Sequence, residues 1–422
     1  MPLKSIRLFG GFARGSLQLI SEGNRAYWMW LAFLGMLIIS GALAYAAQVT
    51  TGLGLTAMRD PVSWGFYIGN FTFLVGVAAA AVVLVIPAYV YDWKPIREVV
   101  LYGELLAICS IIMCLMFVTV DIGRPDRFWH LMPPFGHLNF PSSVLAWDVV
   151  VLNLYFLVNF VVATHILYRA FHGKPYIKKL VVPLVLLSVP MAVGIHTVTA
   201  FLYNGLAARP YWNSSILAPQ FLASAFCSGP AILLVMLQLL RKFTRFEIKD
   251  EAIWKVAELM AYAMFLNLFL HGAEAFKEFY SNTQHTLYTR YWYLGLGEHK
   301  TLVPYAWSAV ALNILGFALF ISPRTRRNWT TLNIGCLATY AGVYIEKGMG
   351  LIIPGLTPDT LGEIYVYYPT VTELRVAAGI FATGFLLFTL MLKVAVPISL
   401  GEFHGKERAE EGAPSGAAAL AH

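Results

Sequence analysis

Ten stretches of the chain stay apolar for about twenty residues or more, each bounded by charge, proline or glycine: about 27–47, 64–90, 99–120, 143–168, 180–203, 218–240, 252–272, 302–322, 330–353 and 374–398. A helix needs roughly 20 apolar residues to cross the hydrocarbon layer of a bilayer. The strict alternation of a membrane β-barrel is absent from these stretches. The pattern therefore predicts an all-α membrane protein with ten transmembrane helices. The first stretch is long and lacks a small-residue cleavage site at its end, so it is expected to stay as a span and not to be removed as a leader.

Composition agrees. Hydrophobic residues make up 58% of the 422 and charged residues only 13%, about half the usual share in a soluble domain. The mean hydropathy is +0.65. The net charge of +7 does not point to nucleic acid, because the positive residues follow the connections between spans. With the N-terminus placed inside, 19 Lys and Arg fall on the inner segments and 7 on the outer loops. That bias predicts a multi-pass protein of the cytoplasmic membrane with both termini cytoplasmic. The outer connections are longer and rich in Trp, Tyr, His and Pro. Part of that is an interfacial aromatic belt; the length of 121–142 and 273–300 favours a docking surface for the rest. The charged, Ala/Gly-rich tail at 399–422 is expected to be disordered.

Several chemistries have no residues to support them. No phosphate-binding G-x-x-x-x-G-K-[ST] motif is present. The four cysteines, Cys109, Cys114, Cys227 and Cys336, are scattered in or near spans and suit packing better than an iron–sulfur cluster. Only His165, His196 and His271 lie within spans, leaving at most one haem between His196 and His271. No soluble segment is long enough for a catalytic domain. Whatever the protein does, it does within the bilayer or through partners.

Ionisable groups inside spans cost about 2.5–3.5 kcal/mol each on insertion scales, so the few present need a reason. Glu104 and Glu258 sit about 10 Å inside the cytoplasmic face by helical rise, with no obvious basic neighbour on their own helices. Asp148 and His196 lie at similar depth near the other face. His271 and Glu274 share a helix face near the end of the seventh span. Glu346 and Lys347 are adjacent and suit a structural pair with the lysine snorkelling outward. Glu104, Glu258 and His271 are the candidates for a proton path.

The third span ends in Val120-Asp121-Ile122-Gly123-Arg124-Pro125-Asp126-Arg127-Phe128-Trp129-His130. Gly and Pro stop the helix, Asp121 can pair with Arg124 or Arg127, and Trp129 anchors at the interface, yet the motif is more elaborate than a stop requires. Its pattern D-[IL]-G-R-P-x-R-x-W-H resembles the NrfD/polysulfide-reductase-type family of integral membrane subunits. So do Trp64-Gly65-Phe66-Tyr67-Ile68, His196-Thr197-Val198-Thr199-Ala200-Phe201, Ala208-Arg209-Pro210-Tyr211-Trp212-Asn213 and Leu145-Ala146-Trp147-Asp148. Within the family the sequence is most similar to the DsrP branch, from sulfite-reduction-associated complexes. The resemblance covers roughly residues 27–400.

The resemblance implies two four-helix bundles, at 63–205 and 206–353, with a flanking span at 27–62 and another at 354–398 and a cytoplasmic segment at 1–26. It implies an exchangeable menaquinone or other quinone bound in the first bundle near the periplasmic face, with no haem or iron–sulfur centre in the protein itself. It also implies a ferredoxin-like iron–sulfur partner on that face, with cytochrome c and cytochrome b-type subunits in the same complex. Relatives in the alternative-complex-III branch carry a His near Ala79, where this sequence has only alanines, so its quinone ligands or proton route differ from theirs. Quinone carbonyls need donors and acceptors, and Asp121, His130, Asp148 and His196 are the candidates, with Trp129 or Trp147 stacking on the ring. A scaffold without a quinone site and an ion-coupled transporter are the competing classes.

Overall fold

The computed structural model describes residues 2–404 apart from 92, 133 and 284. The tail at 405–422, including Lys406 and Arg408, lies outside the described residues. The segment at 1–26 is largely a helix, α1 (Pro2–Ser21), followed by α2 (Arg25–Thr51). Asn24 caps α2 by accepting from the Tyr27 N–H at 2.9 Å. The second span is interrupted. It runs as α3 (Phe66–Ala78) and α4 (Ala80–Val85), with a π-helical turn over Ile86–Val90.

The next spans are longer than the apolar stretches that predict them. They are α5 (Lys94–Asp121), α6 (Val144–Phe171), α7 (Lys178–Asn204) and α8 (Leu217–Phe243). The seventh expected span is α9, Asp250–Ser281, so His271 and Glu274 stand within the helix and not at its close. A short α10 (Thr286–Tyr293) occupies the following loop. Then come α11 (Val303–Ile321), α12 (Pro323–Arg326), α13 (Trp329–Lys347), α14 (Met349–Leu356) and α15 (Val371–Ser399). Nine spans among the described residues are long and apolar enough to cross a membrane. The expected span at 330–353 is not one continuous helix: it breaks at Gly348 between α13 and α14. A Cβ at that position would come within 2.6 Å of the Tyr344 carbonyl oxygen.

The α3/α4 segment packs with α5, and α5, α6 and α7 complete one group. A second group is formed by α8, α9, α11 and α13, and α3 lies against α8 between the two. The first group holds the most deeply buried helices, α3/α4 and α5, while α2 is largely uncovered. Trp28, Met29, Phe33, Met36, Ile39 and Leu43 of α2 are exposed, as suits a face that meets acyl chains.

The flanking helices α2 and α15 pair with each other and lean on α5, where the Phe117 and Phe381 rings meet at 5.5 Å. Their contact is a crossing of two backbones. A Cβ on Gly41 would come within 2.8 Å of the Gly379 Cα, and one on Gly379 within 2.9 Å of the Gly41 Cα. Small residues let helices approach this closely, which is how membrane helices gain packing energy without a hydrophobic drive. At the start of α15, Thr370 and Glu373 form a reciprocal cap. The buried Glu373 carboxylate also accepts from the Ala57 N–H at 2.9 Å and from the Tyr367 hydroxyl.

Thr51, Asp121, Asn204 and Leu356 mark the distal end of the molecule, and α1 the proximal end. Arginines crowd the proximal end. Arg241 pairs with Asp250 and lies 4.3 Å over the Trp329 ring, and Arg327 lies 5.4 Å over Trp254.

Replacing Gly379 by Leu forces four heavy atoms into the α2–α15 crossing. The expected cost is about 1–3 kcal/mol of overpacking, read as a lower thermal midpoint in detergent. Gly35, which has open space around its Cβ position, is the control and should tolerate Leu.

Candidate functional site

Asp148 on α6 is tied to the face of α7 that carries His196. Asp148 stands one turn into α6, is buried, and accepts from the Thr199 hydroxyl of α7 at 2.8 Å. His196 and Thr199 are three residues apart on α7, so they share a face. The His196 ring is buried, its Nδ1 2.6 Å from the Ala192 carbonyl oxygen of its own helix. That contact assigns the proton to Nδ1 and makes Nε2 an acceptor. Nε2 is buried and finds no hydrogen-bond partner among the described residues. Tyr203 continues the same face one turn further. Its hydroxyl hydrogen-bonds with the Thr72 hydroxyl of α3, and both Asp148 and Asp121 lie within electrostatic range of its phenol.

Tyr203 also forms the floor of an aromatic layer at the distal end. Its ring meets Trp64 at 5.7 Å, Trp212 at 5.2 Å and Phe221 at 6.0 Å, and Trp64 and Trp212 stack at 5.8 Å. Over this layer opens a cleft of about 340 Å³ lined by Trp64, Trp212, Arg209, Leu206 and Leu356, a volume at the lower end of small-molecule sites. α14 holds its rim. The Trp212 indole N–H donates to the Leu351 carbonyl at 2.9 Å, Arg209 to the Leu356 carbonyl at 3.1 Å, and the Tyr211 hydroxyl to the Gly350 carbonyl at 3.2 Å. The Trp212 indole fills the space where a Cβ on Gly355 would be.

The remaining expected ligands are placed differently. Asp121 ends α5 and pairs with neither Arg124 nor Arg127. Its Oδ1 is buried without a hydrogen-bond partner among the described residues, within electrostatic range of Tyr67 and Glu373. Arg124 instead forks onto Asp126 at 2.9 and 3.0 Å in the turn that follows. That guanidinium holds the Asp126 carboxyl below its ordinary range. Trp129 and His130 lie on a 3-10 turn, Pro125–Leu131, and both are exposed. Trp147 is partly exposed, packs on Phe140 at 4.4 Å and donates to the Pro141 carbonyl at 2.8 Å. Trp129, His130 and Trp147 therefore stand outside the buried cluster. The aromatic partners of that cluster are Trp64, Tyr203 and Trp212. The sequence signal for Trp64 and Trp212 is their place in the quoted motifs, and Tyr203 carries none.

The proposed path residues also divide. Glu104 is buried, and its Oε2 has no hydrogen-bond partner among the described residues. It lies within electrostatic range of Tyr89 and Tyr155. Glu258 is not the isolated interior carboxylate expected. It is partly exposed and meets Lys255 of its own helix at 3.5 Å and Arg326 at 3.6 Å, because Lys255 precedes it by three residues on α9.

His271 belongs to a second polar cluster, between α8, α9, α11 and α13. Its Nδ1 faces Glu346 at 3.5 Å and its Nε2 meets the Tyr293 hydroxyl. Lys347 does not snorkel. It is buried, pairs with Glu346 at 3.0 Å and meets the Gln220 side-chain oxygen at 3.3 Å.

The comparisons agree with the motifs. A family model described as "Polysulphide reductase, NrfD" matches residues 54–358. The sequence is 26% identical over 394 residues to a Halobacterium salinarum protein described as a membrane subunit of dimethyl sulfoxide reductase, covering 85% of this protein and 88% of that one. It is 23% identical over 389 residues to the Hdr-like menaquinol oxidoreductase integral membrane subunit of Archaeoglobus fulgidus, covering 86% and 93%. It is 28% identical over 192 residues to one of the polypeptides of polysulfide reductase from Wolinella succinogenes, covering 42% and 58%.

Thr199→Val removes the hydroxyl that serves Asp148 and leaves a buried acceptor short of its donor. The expected loss is about 1–3 kcal/mol, visible as a lower thermal midpoint. Thr197→Val, which removes only a bond to its own helix, should shift the midpoint less. Equal shifts would contradict the special place given to Thr199.

Proposed function

Since the protein belongs to the NrfD family of integral membrane subunits, we propose that it is the quinone-exchanging membrane subunit of a respiratory electron-transfer complex. Its substrate is menaquinol or menaquinone, taken at the distal end of the α3–α7 group. Electrons pass between the quinone and an iron–sulfur subunit docked on that end, which faces the periplasm. Both termini are cytoplasmic, and the charge bias of the connections supports this orientation. Cytochrome c and cytochrome b-type subunits complete the complex, whose work belongs to sulfur (sulfite or sulfate) metabolism. The names of a menaquinol oxidoreductase subunit and a polysulfide reductase polypeptide among the relatives support that assignment.

The observation that carries this reading is a buried carboxylate on α6 bonded to Thr199 of α7, the helix whose same face carries a buried imidazole, near an aromatic cleft. Oxidation of a quinol releases two electrons and two protons. The protons need acceptors held away from bulk water, reached from the head group directly or through intervening hydroxyls. Asp148, oriented by Thr199, takes one. His196, with Nδ1 committed to its own helix, offers Nε2 for the other. The Tyr203–Thr72 hydroxyl pair stands between this acceptor set and the aromatic layer. Trp64, backed by the buried Trp212, gives the head group a flat surface to stack on, and Arg209 closes the rim. Asp121 adds a further carboxylate to the same end. Glu104, buried on α5, extends the polar groups toward the cytoplasmic side.

Asp148→Asn and His196→Gln in the assembled complex should each lower quinol oxidation by about 10²-fold or more, the range for losing a positioned acid or base. Steady-state turnover with a menaquinol analogue reads this, with complex assembly checked by gel filtration. Full turnover in both variants would leave the protein as a scaffold for its partners.

A further inference from the structure

The α8–α13 group holds a set of buried polar groups that quinone exchange in the first group does not use. Glu346 is its centre. One carboxylate oxygen, Oε2, accepts from Asn313 at 2.7 Å and Asn267 at 3.4 Å. The other, Oε1, faces the Lys347 ammonium and the His271 ring. Lys347 reaches Gln220, and Gln220 donates at 2.6 Å to Glu274.

A purely structural ion pair in a helical interior is expected to have its donors and acceptors matched. Here they are not. Asn267 Oδ1, Asn313 Oδ1 and Thr339 Oγ1 are all buried without a hydrogen-bond partner, on residues that are at most 1% exposed. Thr339 lies seven residues before Glu346 on α13, two turns along the same face toward the proximal end. Unmatched buried polar atoms in a group are the usual mark of internal water. On the distal side, His271 borders a separate cavity of about 30 Å³, room for a water molecule, which is also lined by Glu274, Tyr293 and Ser214.

We propose that this cluster is a hydrated proton-exchange site in which His271 passes protons between the Glu346–Lys347 pair and the distal cavity. An imidazole is suited to the task because its two nitrogens face opposite ways. At rest both Glu346 oxygens accept, so the group is a carboxylate; a proton entering from cavity water through the Tyr293 hydroxyl reaches Nε2, and one leaves Nδ1 for Glu346. One proton enters, one leaves, and no electrons are involved. Lys347 keeps its charge throughout and holds Glu346 in the cluster in either protonation state. The titratable groups around His271 are Glu346, Lys347, Glu274 and Tyr293, with Glu278 and His285 on the far wall of the cavity. Tyr211 and Cys227 lie within electrostatic range of Glu346 from α8 and the segment before it. The inference does not rest on the quinone reading, and it adds a site in the other group of helices.

The test is pH-jump infrared spectroscopy on the purified full-length protein in detergent, which needs neither quinol nor partner. Among the protonated-carboxyl bands of wild type, one should be missing from Glu346→Gln while those of the other carboxyls remain. His271→Gln should keep that band but slow its appearance by at least about tenfold, as expected when a positioned proton carrier is removed. Should Glu346→Gln fail to fold, the pair E346Q/K347Q leaves no lone buried charge and reads the same band. A set of carboxyl bands left unchanged by removal of Glu346, or a Glu346 band that appears equally fast in wild type and His271→Gln, overturns the proposal.

Discussion

A polar group placed between membrane helices must find its partner inside the protein, because the surrounding hydrocarbon offers none. That constraint organises this molecule. Backbone groups meet it through helical hydrogen bonds, and most of the sequence has no other polar groups to satisfy. The exceptions collect where several helices can contribute a partner each. Asp148 has Thr199 from the next helix. Glu346 has Asn267, Asn313, His271 and Lys347 from three helices. Gln48, buried on the flanking helix α2, donates to the Val120 carbonyl at 2.7 Å and accepts from the Tyr67 hydroxyl at 2.7 Å. In each case a partner comes from a different helix, so the polar groups also fix how the helices are registered against one another.

The apolar pattern made most of the helices legible, since the hydrocarbon thickness sets their minimum length. It could not give their full extent. α9 runs on to Ser281 because Glu274, Lys277 and Glu278 are helix formers, and a helix continues past the apolar stretch until something stops it. The left-handed Asn282 then caps it. The break at Gly348 was equally hidden, because a glycine in an apolar run reads the same whether the helix passes through it or ends there.

Within the site, Asp148 and His196 are visible as ionisable groups where charge is costly, and the bond from Thr199 to Asp148 follows from adjacent spans. The loop residues Trp129, His130 and Trp147 were chosen by type and proximity along the sequence, and neither shows which way a loop turns. Lys255 and Arg326 around Glu258 illustrate the same limit. An i,i+3 lysine is readable in the sequence, but an arginine beyond the end of the next span is known only once the helices are packed.

The break in the last polar segment serves both clusters at once. Ending α13 at Lys347 leaves Glu346 and Lys347 in its final turn, where the helix C-terminus favours the lysine's positive charge. The restart at Met349 sets α14 with its carbonyls toward the segment after α7. Those carbonyls anchor Trp212 and Arg209 at the rim of the distal cleft. Phe221 bridges the two, packing against Tyr203 on one side and lying 5.7 Å from the Lys347 ammonium on the other. A cation is attracted to an aromatic face and more strongly where water is excluded. Lys347 and Tyr203, one from each group of helices, therefore both border the ring of Phe221.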